Sequence, residues 1–170
     1  RPDGAVLARF KTLVIPKTLD SDLRDLVEEP ASSIPALDVQ VDNFTLNDLT
    51  LGSLKLIAVN QTREEQARAA LGQRPKEWKL EELRIENPES ITRAKGVWQY
   101  GENLKNQRTD IEVDQTVKNA GGLLTRLGMA GVFQGGEGTL LGRLRWNDAP
   151  TNIDYGSLSG QFKLKSSKGQ

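Results

Sequence analysis

Three pairs of adjacent acids, Glu28-Glu29, Glu64-Glu65 and Glu81-Glu82, have the type and spacing to suggest chemistry in this 170-residue chain. Two carboxylates can serve as the acid and base of a glycosidase. Here each pair sits in charged local sequence, on a helix end or an exposed strand, and reads as solvated surface. The run Gly135-Gly136-Glu137-Gly138 suggests a phosphate cradle, but a P-loop needs a following Lys-Ser/Thr and a helix, and neither follows. Turn or bulge chemistry ahead of a strand is the better account. The chain holds no histidine and no cysteine. That removes disulfides, thiol nucleophiles, the usual zinc and iron ligands and the commonest general base. No cofactor is implied, and the chain reads as a non-enzyme. Trp78, Trp98 and Trp146 serve equally well as the lining of a ligand site or as packing anchors at sheet edges.

What remains is apolar surface, and the sequence places it in rows. From Gly138 to Trp146 the residues alternate strictly, with Gly138, Leu140, Gly142, Leu144 and Trp146 on one side and Thr139, Leu141, Arg143 and Arg145 on the other. Period two over this length is a strand with one apolar face. Asn147 to Pro150 reads as a turn. Leu158 to Lys165 repeats the pattern, with Leu158, Gly160, Phe162 and Leu164 opposite Ser159, Gln161, Lys163 and Lys165. The two strands form an amphipathic hairpin, and the free edge of the second is a template for strand addition that Lys163, Lys165 and Lys168 blunt only in part.

Charge is balanced at 23 basic against 23 acidic residues, so no long-range field favours nucleic acid or an anionic surface. Aromatic content of 5% also argues against base-stacking platforms. No apolar run approaches the roughly 20 residues that span a bilayer. Arg1-Pro2 lacks an initiator Met and Lys168-Gly169-Gln170 closes no element, so a piece of a longer protein is expected.

Further strands are expected over Gly4 to Ile15, Leu37 to Val41, Phe44 to Leu51, Gly52 to Val59, Trp78 to Ile85, Ile91 to Tyr100 and Thr109 to Asp114. Turns fall at Asn47-Asp48, Gly52-Ser53 and Asn87-Pro88. Three short helices are expected. One follows Asp20-Ser21-Asp22 and ends at Pro30, one starts at the capping box Thr62-Arg63-Glu64-Glu65, and one is capped by Asn119 and carries Leu123, Leu124 and Leu127. Short connections favour an antiparallel meander, since parallel pairs need crossover helices. The fold class is mainly β, or α+β by content.

Several fragments in order resemble the C-terminal region of YhdP-type proteins of the AsmA-like group. They are Ile34-Pro35-Ala36-Leu37-Asp38, Leu51-Gly52-Ser53-Leu54, Trp78 with Leu83 and Ile85, Gly96-Val97-Trp98, Leu123 to Gly128, Gly135 to Gly138, Leu144-Arg145-Trp146 with Pro150, and Leu158-Ser159-Gly160. The resemblance covers residues 34–170, with a less distinct opening strand and helix over 1–33, as one β-rich segment. It implies a curved sheet forming a trough with an apolar interior. It also implies the periplasmic portion of an inner-membrane-anchored protein, with phospholipid acyl chains as partners and membrane contact made elsewhere in the parent.

By alternation alone, the apolar rows are a core under helices or a second sheet. The resemblance points instead to a lipid groove lined by Leu54, Leu56, Leu83, Ile85, Trp98, Leu140, Leu144, Trp146 and Phe162. About 0.8 kcal/mol per buried methylene makes one acyl tail a substantial ligand. The alternative is a structural or docking module that caps the trough and contacts an envelope protein partner.

Overall fold

The computed structural model describes residues 6–16, 36–60, 67–68, 71, 76–101, 106–132, 134–150 and 154–169. Eight strands form one sheet in sequence order: β1 (Val6–Ile15), β2 (Leu37–Leu46), β3 (Leu49–Asn60), β4 (Lys76–Asn87), β5 (Ser90–Tyr100), β6 (Arg108–Val117), β7 (Gly135–Trp146) and β8 (Ser159–Gly169). A single helix among the described elements, α1 (Ala120–Arg126), interrupts the series between β6 and β7. The sheet is open, with β1 and β8 as its edges.

Every neighbouring pair from β2 to β8 is antiparallel, but β1 runs parallel to β2, which corrects the all-antiparallel expectation. The long connection from Ile15 to Leu37 allows this, because a parallel pair needs a crossover of a dozen or more residues. The helix expected after Asp20 lies outside the described residues. Of the helix expected from Thr62, the described part is Ala67 and Arg68, which are helical, and Leu71, whose N–H donates to the Ala67 carbonyl at 3.2 Å.

Local chemistry explains the hairpins. Asn47 and Asp48 both adopt positive φ, 52° and 66°, the geometry of the two-residue turn that matches strand twist. Pro88 presets the β4–β5 turn, and the Asn87 side-chain oxygen accepts from the N–H groups of Glu89 and Ser90 at 3.1 and 2.9 Å. Gly52 is not the turn expected of it. It lies inside β3 at φ 104°, beside register shifts in the β2–β3 ladder, and a Cβ there would strike the Glu86 carbonyl. The glycine therefore marks a bulge, and the strand continues through it. Gly135 and Gly136 likewise have positive φ at the start of β7, where Gly135 pairs with Gly169.

The helix clamps one end of the sheet. Asn119 caps it by accepting from the Gly122 N–H at 2.9 Å. Leu123 is buried, and α1 reaches from β3 to β7 across the intervening strand ends. Arg126 bonds Glu89 at 2.8 Å and the Thr50 carbonyl at 3.1 Å, tying the helix to the turns at that end. At the opposite end Trp78, Trp98, Tyr100 and Ala149 form the packed cluster. There Trp146 Nε1 donates to the Ala149 carbonyl at 2.8 Å, and Thr109 donates to the Asp148 carbonyl at 2.7 Å.

Candidate functional site: an apolar sheet face

Registers assign each strand residue to a face, because side chains alternate and paired residues share a side. Three rows then run across the whole sheet. The first is Val6, Leu37, Ala58, Leu80, Gly96, Ile111, Leu144 and Gly160. The second is Ala8, Val39, Leu56, Leu83, Ala94, Val113, Gly142 and Phe162. The third is Phe10, Val41, Leu54, Ile85, Thr92, Gln115, Leu140 and Leu164. Two rows are wholly apolar, and the third contains one polar pair that satisfies itself, Gln115 Nε2 donating to Thr92 Oγ1 at 3.1 Å. Seven interstrand spacings of about 4.8 Å make each row roughly 34 Å long.

Glycines level this surface. The Phe162 ring lies over Gly142, so that a Cβ there would meet it at 2.8 Å, and Leu144 Cδ2 covers Gly160 in the same way. Large side chains on one strand thus fill the space left by small ones on the next.

All nine expected lining residues lie on this one face. Leu54, Leu56, Leu83, Ile85, Leu140 and Leu144 are half-buried in the rows. Phe162 is 61% exposed at the edge. Trp98 and Trp146 are buried in or beside the end cluster, as packing anchors of the face rather than part of its open middle. Burial pushes the Tyr100 phenol in this cluster above its ordinary pKa. The rows also take in residues not named as lining from the sequence, notably Val6, Ala8 and Phe10 of β1, Leu80 and Ala94, and Ile111 and Val113, which the sequence placed together on one strand face. Their alternation was visible in the sequence, but only the register aligns them with the rest.

The opposite face is charged and internally paired. Arg143 makes two hydrogen bonds to Asp110, at 3.2 and 3.1 Å, which raise its already high pKa further. Arg145 shares Asp110 at 3.2 Å, Lys95 meets Glu112 at 3.5 Å and Lys55 meets Glu82 at 3.4 Å. Two open recesses of about 620 and 690 Å³ lie among these side chains, on the polar side. Of the acid pairs considered for catalysis, Glu81-Glu82 sits at the β4 bulge with Glu81 exposed and Glu82 bound to Lys55. Glu28-Glu29 and Glu64-Glu65 lie outside the described residues. The arrangement offers a broad apolar surface backed by a salt-bridged one.

A family model described as YhdP protein matches residues 1–170, including the first thirty, where the resemblance was less distinct. No curated protein and no solved structure matches the chain.

Proposed function

This chain belongs to the YhdP family, and on that premise we propose that it is a non-catalytic segment of a phospholipid-transport protein, its apolar face forming part of the lipid path. The reading places it on the periplasmic side of an inner-membrane-anchored parent. No described helix is long and apolar enough to cross a membrane.

The observation that carries this reading is the continuity of the three rows. A surface roughly 34 Å long without an ionisable side chain accommodates an extended acyl chain along its whole length. At about 0.8 kcal/mol per methylene removed from water, contact with even part of a tail holds it without any polar anchor. The contacts are repetitive and non-directional, so a chain sliding along them exchanges like for like. That suits conduction better than storage.

Native mass spectrometry of the chain purified from a bacterial host tests the proposal. Phospholipid that co-purifies, and a labelled phospholipid that rebinds after delipidation, are the expected results. A stable monomer that carries no lipid and binds none overturns it. That result would favour the second reading, a docking module for an envelope protein.

A further inference from the structure

We propose that the Thr92–Gln115 pair on the apolar face holds the ester carbonyl of an acyl lipid by a hydrogen bond, so that the face selects acyl esters among compounds with long tails. This rests on the lipid reading of the face and adds to it the chemical group that is recognised.

The pair stands out by its position. Thr92 on β5 and Gln115 on β6 face each other in the third row, between Ile85 on β4 and Leu140 on β7. Every other residue of the three rows is apolar or glycine. Both side chains are half-buried, so a ligand reaches them. A pair of valines would suit the same ladder position without placing polar groups on an apolar surface. Polar side chains there cost stability unless something polar meets them.

Their hydrogen-bonding capacity is only partly used. At the margins of the face, Ser90 Oγ donates to Asn87 Oδ1 at 3.2 Å, and Thr109 donates to the Asp148 carbonyl at 2.7 Å, all three side chains being buried. In the open middle, Gln115 Nε2 donates to Thr92 Oγ1 at 3.1 Å, and neither side chain makes a second hydrogen bond. That leaves the Thr92 O–H and one Gln115 N–H as donors. If the hydroxyl donates to the amide oxygen instead, both amide N–H groups are left. A donor therefore remains in either arrangement. The rows carry no ionisable side chain, so the acceptor they suit is a neutral carbonyl and not a phosphate or a carboxylate.

The second row, beside the pair, gives the tail its track. None of its eight residues is buried, and Ala94, two residues along β5 from Thr92, leaves room beside the hydroxyl. From β5 to β1 this row runs for four interstrand spacings, roughly 19 Å, while one tail of a bilayer spans about 15 Å. The rows alone hold the tail, and the pair chooses what the tail is attached to.

Displacement of a fluorescent phospholipid from the whole chain tests this, using two phosphoethanolamine lipids of equal tail length, one ester-linked and one ether-linked. The chain should bind the diester about threefold to tenfold more tightly, the worth of one net hydrogen bond. The double variant T92V/Q115L removes both polar groups with little change of shape. It should melt no lower than the parent and bind the two lipids equally. Thr92→Ser, which keeps the hydroxyl, should retain the preference.

Equal binding of the two lipids by the parent overturns the proposal and leaves the lipid reading standing, whereas binding of neither overturns both. A preference that survives in T92V/Q115L places the carbonyl elsewhere on the face. A free fatty acid that binds the parent more tightly than the diester, and loses that advantage in the double variant, would make the guest a carboxylate. If the double variant does not fold, Thr92→Val alone carries the test, with a reduced preference expected and an unchanged one counting against the pair.

Discussion

Leu144 lies on β7, one strand in from β8, on the apolar face, opposite Ile111 and over Gly160. It is half-buried, and no polar partner for a charge lies in its row. In a closed core, Leu144→Asp would bury an unpaired carboxylate and prevent folding. On a face that is open to lipid and water, the carboxylate stays hydrated. The variant is expected to fold, while phospholipid bound per chain falls about tenfold, equivalent to losing roughly two methylenes of contact. Melting temperature and lipid content measured together separate the two cases. A folded variant with normal lipid loading would remove β7 from the path. Trp146 is different, because its indole N–H satisfies the Ala149 carbonyl inside the end cluster. Trp146→Phe should cost about 1–3 kcal/mol in urea unfolding, the penalty for a buried acceptor left without a donor. An unchanged midpoint would mean that water replaces the indole.

At the scale of elements, α1 is too short to hold itself and depends on its contacts. Its anchor is the Glu89–Arg126 pair, 2.8 Å apart with both side chains about four-fifths buried. The hydrogen bond from Arg126 holds the Glu89 carboxyl below its ordinary pKa. A depressed carboxylate pKa contributes stability at neutral pH that is lost as pH falls through the folded value. Glu89→Gln should therefore melt lower than the parent at neutral pH. The gap should close on acidification below the ordinary glutamate range. A gap that persisted unchanged in acid would place the stabilisation elsewhere. The bulge at Gly52 and the turn at Asn47-Asp48 belong to this scale too. Both positions carried turn chemistry in the sequence, yet only one is a turn. A glycine at positive φ serves a bulge as well as a turn, and the ladder decides between them.

For the whole molecule, strands in sequence order mean that each leans mainly on its two neighbours, as repeats do in a solenoid. Interior strands then open only after an outer one has left. Hydrogen exchange should be slowest in β4, β5 and β6, and fastest in β1 and β8, each of which has one neighbour. Uniform protection across all eight strands would instead show a single cooperative unit. The paired charges of the polar face and the continuous rows of the apolar face rest on the same registers, so a one-residue slip in any ladder would exchange them. That coupling gives the sheet its fixed two-sidedness.

The alternation of single residues determined much of this protein. Leu140, Leu144 and Phe162 were legible as members of apolar strand faces, Asn119 as a helix cap and Asn47-Asp48 as a hairpin turn, because each is set by neighbours in the chain. The nine expected lining residues fall on one side because each strand keeps period two through the stretch that carries them, the bulges at Gly52 and Glu81 lying outside those stretches. Local pattern could not supply what depends on partners distant in sequence. The parallel pairing of β1 with β2 followed from a crossover whose direction no residue encodes. The withdrawal of Trp98 and Trp146 into a packed end came from the return of Ala149 over them. The placement of Lys163 and Lys165 opposite Leu141 and Thr139 became visible only once β7 and β8 were in register. Alternation is a property of one strand, whereas register belongs to two, and a continuous face exists only once all eight have been aligned.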